Sequence, residues 1–116
     1  MQLITSITEE PKQEFTLKLD NNETATMRLY YYASQNSWYF DIEYKDYINN
    51  GNKVVLTFNA LRHLKKIIPF GIGFLSGSNA DPFSLESFTS GDFIMVLLNQ
   101  TDVQQIEELV YNESTE

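Results

Sequence analysis

Between Ser37 and Asp46 the large apolar side chains and the charged ones separate by parity. Trp38, Phe40, Ile42 and Tyr44 fall on one parity, and Asp41, Glu43 and Lys45 on the other. Successive side chains of a strand point to opposite faces, so this stretch predicts a half-buried strand with one dry side and one wet side. The same alternation places Phe15, Leu17 and Leu19 inward along Glu14–Asp20, with Thr16 and Lys18 outward. It also places Ala25, Met27, Leu29 and Tyr31 inward along Thr24–Ala33. The β-branched run Lys53–Phe58 reads as a fourth strand. Turn chemistry separates these runs at Asp20-Asn21-Asn22-Glu23, at Ser34-Gln35-Asn36 and at Ile48-Asn49-Asn50-Gly51-Asn52, the last being the strongest hairpin signal in the chain. Four runs joined by three short polar turns predict an antiparallel meander.

The flanking segments are less regular. Gln2–Ile7 predicts a short first strand that ends before Pro11, and Asn59–Ile68 predicts a helical turn or two, stopped by Pro69. In Phe70-Gly71-Ile72-Gly73-Phe74, glycine alternates with large apolar residues, which points to a bend or to close approach by another backbone or a ligand. Ser76–Gly91 reads as a long polar loop with Asp81-Pro82 at its middle and Phe83, Leu85 and Phe88 as anchors. Asp92–Asn99 reads as a strand buried on both faces. Thr101–Leu109 fits either a short helix or an extended arm, and residues from about 112 to 116 read as a frayed acidic tail. The fold class expected is all-β: an antiparallel β-sandwich or partly open barrel built on the four-strand meander, with at most one or two short helices. Residues 1–116 form a single domain in this reading.

Composition narrows the function classes. Aromatic residues make up 14% of the chain, which favours sheet, and the absence of cysteine rules out disulfides and thiol chemistry. The net charge of −8 is unevenly spread: acids and bases cancel up to Lys66, and from Ile67 onward there is no Lys or Arg. Binding to phosphates needs a basic stripe, whereas the one basic cluster here is Arg62-His63-Leu64-Lys65-Lys66, so no nucleic-acid recognition is expected. No apolar run approaches the roughly 18 residues of a membrane span, and no signal pattern opens the chain, so neither membrane insertion nor export is expected.

No catalytic constellation emerges. His63, the sole histidine, has no triad partner at a recognisable spacing, and Asp41, Glu43 and Lys45 read as a charge-mixed solvated face. Ser78-Asn79-Ala80-Asp81 has too few carboxylates for a calcium loop, and Gly71, Gly73 and Gly77 match no phosphate-binding pattern. No enzyme activity, cofactor or metal is expected. Tyr30, Tyr32 and Tyr39 stand opposite the core parity with Arg28 beside them, and tyrosine and arginine are the residue types enriched where a surface becomes an interface. Either a partner meets these rings or a second layer of the same domain covers them. Sugar stacking is a third reading.

The order of segments carries a resemblance. A Phe-Thr-Leu-Lys-Leu-Asp strand (15–20) precedes a Met-Arg-Leu-Tyr-Tyr strand (27–31), then Trp38-Tyr39-Phe40-Asp41-Ile42 and an Asn-Gly turn. Phe70-Gly71-Ile72 follows, then an Asp81-Pro82 loop ending in Ser90-Gly91, and a last apolar strand leading into Asp102-Val103. This layout resembles the small baseplate plug proteins of contractile-tailed bacteriophages. The resemblance implies a structural virion component of a phage or phage-derived tail baseplate, assembled in the bacterial host cytoplasm. It would pack against hub, spike and tube-initiator proteins, in an oligomeric assembly, and help plug the tail channel. The surface expected to meet partners comprises Arg28, Tyr30, Tyr32, Tyr39, Phe70, Gly71, Gly73, Asp81, Pro82 and Phe83. The competing reading is a stand-alone carbohydrate- or ligand-binding β-sandwich, which would report its ligand through Trp38 fluorescence.

Overall fold

The computed structural model describes residues 1–19, 22–64, 66–77, 82 and 84–111. The strands are β1 (Gln2–Leu3), β2 (Lys12–Lys18), β3 (Thr24–Tyr32), β4 (Ser37–Tyr44), β5 (Tyr47–Lys53), β6 (Gly71–Ser76) and β7 (Phe93–Leu98). One α-helix, α1 (Gln100–Leu109), closes the described chain, and two 3-10 turns lie at Ala33–Gln35 and Arg62–Leu64. β2-β3-β4-β5 form the antiparallel meander, and β1-β7-β6 form a second sheet. Trp38, Phe40, Ile42 and Tyr44 of β4 are all buried, as their shared parity predicts. They face Phe70, just before β6, and Ile72 and Phe74 of β6 across a common core. Aromatic contacts run through that core: Phe40 lies 5.6 Å from Phe74, Phe74 lies 6.1 Å from Phe93, and Tyr44 meets Phe70 edge-on at 5.6 Å.

The hairpin after β4 turns earlier than the Asn-Gly signal predicts. The reversal is at Lys45-Asp46, with Lys45 at φ 52°, and Asn49–Asn52 lies inside β5. Between Phe40 and Ile42 the register advances two residues on β4 and three on β5, from Asn52 to Asn49, which makes a β-bulge. Gly51, at φ 75°, supplies the left-handed backbone that the bulge requires. The sequence signal was therefore a true signal for positive φ, used to bend a strand and not to reverse it.

The expected strand Lys53–Phe58 is corrected in the same way. Only Lys53 belongs to β5, and the chain then crosses between sheets. Val54 N–H still donates to the Trp38 carbonyl at 2.8 Å, whereas Thr57 and Phe74 exchange backbone hydrogen bonds at 3.0 and 2.9 Å. One segment thus laces the two sheets along an edge without closing a barrel. Gly73 admits it: a Cβ there would stand 2.8 Å from the Phe58 carbonyl oxygen and 2.9 Å from Val96 Cγ2. Gly71 likewise leaves room for Asn59, whose buried Oδ1 accepts from Leu61 N–H at 3.0 Å and Ile72 N–H at 3.3 Å. The backbone approach read from the glycines is made by this chain's own backbone.

Other expected elements shrink or sharpen. The first strand is two residues, extended by Ile4 N–H donating to the Met95 carbonyl at 2.9 Å. Among the described residues of Asn59–Ile68 the helical content is the 3-10 turn Arg62–Leu64. Ser84–Gly91, the described end of the polar loop, folds over the core: Trp38 Nε1–H donates to the Ser84 carbonyl at 2.9 Å, and Phe88 meets Trp38 and Phe93 edge-on at 5.4 and 5.3 Å. The C-terminal segment is a helix and not an arm, because Asn99 and Asp102 cap it reciprocally: Asn99 Oδ1 accepts from Asp102 N–H at 2.8 Å and Asp102 Oδ2 from Asn99 N–H at 3.2 Å. The tail 112–116 lies outside the described residues.

Gly73→Ala forces a methyl group into the lacing contact and is expected to destabilise the fold by about 1–3 kcal/mol. A chemical-denaturation midpoint unchanged from wild type would show that the crossing segment yields freely.

Candidate functional site

The outward parity of the meander is read across its strands from the register. One row runs Lys12, Tyr30, Tyr39, Lys53, and the next runs Glu14, Arg28, Asp41. Tyr30 and Tyr39 face each other on adjacent strands with rings stacked at 6.1 Å and 18°. Tyr32 lies against both, 5.5 Å from Tyr30 and 5.4 Å from Tyr39, and is 46% exposed. The three rings form one ledge on the wet side of the sheet. No second layer covers Tyr32 among the described residues, so the ledge remains a surface.

Polar contacts hold that surface in place. Tyr30 OH donates to Asp41 Oδ1 at 2.8 Å, and the same oxygen accepts from Gly51 N–H in the bulge at 2.8 Å. Asp41 is thereby the node that joins the ledge to the bend in β5. Burial, followed by the hydrogen bond to Asp41, pushes the Tyr30 hydroxyl up to about 12. Arg28 bonds Glu14 through Nε at 2.9 Å and Glu43 through Nη2 at 3.2 Å. Its pKa is raised, first by the hydrogen bond to Glu43. Tyr39 OH donates to Gln35 Oε1 at 2.6 Å. A shallow groove of about 550 Å³ runs between Lys12, Gln13, Glu14, Arg28, Tyr30, Tyr32 and Asp41.

This arrangement suits a flat macromolecular contact better than a sugar or an acid–base reaction. The carboxylates of Asp41 and Glu43 are already engaged, the guanidinium of Arg28 is shared between two acids, and the rings pack on each other. Preorganised aromatic and arginine groups are what protein interfaces use as anchors. His63 is exposed in the connector at Arg62–Leu64. No group of three metal-ligating side chains occurs among the described residues. Trp38 is fully buried, so its fluorescence reports the core and not a surface ligand.

The remaining residues of the expected partner surface lie elsewhere. Phe70 is buried at 3% exposure, and Gly71, Gly73 and Pro82 are buried too, while Asp81 and Phe83 lie outside the described residues. The structure brings Arg28, Tyr30, Tyr32 and Tyr39 together and assigns the glycine segment to the interior. Sequence reasoning missed Lys12 and Lys53 as flanks of the ledge. Parity was the available signal for Lys12, but Lys53 depended on a register set by the bulge.

The family model described as cyanophage baseplate Pam3 plug gp18 matches residues 1–101 of the 116. No curated protein matches the chain. The matched region contains both sheets and the ledge, and it ends at the first turn of α1.

The raised pKa of Tyr30 has a sign that can be tested. A hydroxyl whose folded pKa lies above its unfolded value of about 10 adds stability that is complete below that value and is lost as pH rises towards 12. Titration followed at the Tyr30 ring resonances is expected to leave that hydroxyl un-ionised beyond pH 11, and Asp41→Asn is expected to bring it back towards its ordinary value. A Tyr30 ring that titrates identically in both proteins would show that the Tyr30–Asp41 bond is absent in solution.

Proposed function

The chain belongs to the cyanophage baseplate plug family, and from that premise we propose that it packs against hub, spike or tube-initiator proteins and helps close the tail channel. Membership makes it a structural part of a phage tail baseplate; the partners and the channel role are our reading. The observation that carries the reading is the tyrosine ledge, a rigid aromatic surface with Arg28 beside it, on the solvent side of a sheet whose other side forms the core. A plug has to resist deformation while presenting contact surfaces. The aromatic core between the sheets and the laced edge supply the rigidity, and the ledge supplies the contact. Its place is the virion, in the tail baseplate, after assembly in the bacterial host cytoplasm.

The ledge is expected to act through its side chains and not through the fold. Tyr32→Ala combined with Tyr39→Ala is expected to leave the circular dichroism spectrum and the unfolding cooperativity intact. The same change is expected to reduce co-purification with tail proteins, or incorporation into tail particles, at least tenfold, as loss of interface anchors does. Normal incorporation of the folded double variant would remove the ledge from the assembly contacts.

A further inference from the structure

The C-terminal helix has its amphipathicity inverted at its end. It buries Glu107, at 5% exposure, and leaves Leu109 84% and Val110 43% exposed. The buried glutamate has a cause, since Arg62 Nε bonds Glu107 Oε2 at 2.8 Å. The exposed pair has no cover among the described residues. Arg62 also lies 4.0 Å from the centre of the Tyr111 ring, so residues on both sides of Glu108–Val110 are held at the Arg62 connector. That segment is thus tethered where it stands, with its apolar side chains presented outward.

We propose that a second copy of this chain docks its Glu108–Leu109–Val110 segment on the ledge of Tyr30, Tyr32 and Tyr39, between Lys12 and Lys53. The proposal rests on the reading of the ledge as a contact surface and names the partner. Both components of the contact match. Leu109 and Val110 offer apolar area to half-exposed tyrosine rings, the kind of pairing that aromatic interface anchors make. The charges match as well: all eight Lys and Arg residues lie at or before Lys66, and from Ile67 onward there are only acids. Glu14 and Glu43 engage Arg28, whereas neither Lys12 nor Lys53 has an ion pair among the described residues. These two lysines end the tyrosine row at opposite edges of the meander, in a chain whose net charge is −8. Glu108 is exposed beside Leu109 and supplies the complementary charge.

Two different patches meet in such a contact, which makes it heterologous, and repetition generates a ring or an open stack. The helix lies almost wholly beyond the 1–101 match. The area involved is small, so association is expected to be weak, and surface charge pairs make it weaker in salt.

Sedimentation velocity of the full chain over a wide concentration range, at low and at high salt, tests this. Wild type is expected to associate with concentration, and less so in salt. K12E/K53E alone and E108K alone are each expected to lower the association constant at least tenfold, because like charges then face each other. An equimolar mixture of the two variants is expected to recover association, since the Glu108 end of one meets the unaltered lysines of the other. A wild-type chain that stays monomeric at every concentration and salt, or a mixture no better than its components, overturns the proposal. If the ledge variant Y32A/Y39A still loses tail incorporation while wild type is monomeric, the ledge faces another protein and the self-contact alone falls.

Discussion

Burial of the Trp38 side of β4 is the constraint on which the rest of the structure depends. Trp38 is fully buried and its indole N–H must still find an acceptor, which it does at the Ser84 carbonyl, 46 residues away. That bond fixes the returning loop over the end of the core, where Phe88 adds an edge-on contact. Phe40 and Ile42 continue the same dry face against the second sheet. A strand so committed on one side leaves its other side free of core duties, and this is where Tyr39, Asp41 and Glu43 stand.

The two sheets are held in register with each other by a backbone crossing more than by a turn. Val54 stays bonded to β4 while Thr57, three residues later, bonds β6. Such a crossing brings main chain within contact distance of β6, and Gly71 and Gly73 are the residues that permit it. The glycine-thinned strand and the aromatic core are therefore one solution: large rings point inward between the sheets, and the opposite side of β6 is pared down to let the chain pass.

On the wet side, Asp41 links two features that lie apart in sequence. Its oxygen receives the Tyr30 hydroxyl and the Gly51 amide, so the bulge in β5 and the tyrosine ledge are braced by one carboxylate. Bracing of this kind lowers the entropy lost when a surface is immobilised by a partner, which suits a component of a large assembly. The acidic helix that follows the matched region is held to the body by a charge pair at Glu107 and leaves its leucine outward, so the two ends of the domain differ in chemistry as well as position.

What the sequence determined by itself was what period-2 alternation can encode. The inward parities of β2, β3 and β4, the identity of the tyrosine surface, the doubly buried β7 and the all-β class follow from which side chains avoid water. The order of segments was enough to bring out the baseplate plug resemblance. Only the tertiary structure decided how positive-φ and glycine positions were used. Asn50-Gly51 can turn a chain or bulge a strand, and the choice fell to Lys45-Asp46 and to Asp41, which capture the reversal and the bulge. Gly73 can admit a partner's backbone or the chain's own, and the crossing from Val54 to Thr57 settled it in favour of the chain's own. The reason is physical: local sequence fixes which backbone angles are cheap, while the packing of distant segments determines which of the cheap conformations is occupied.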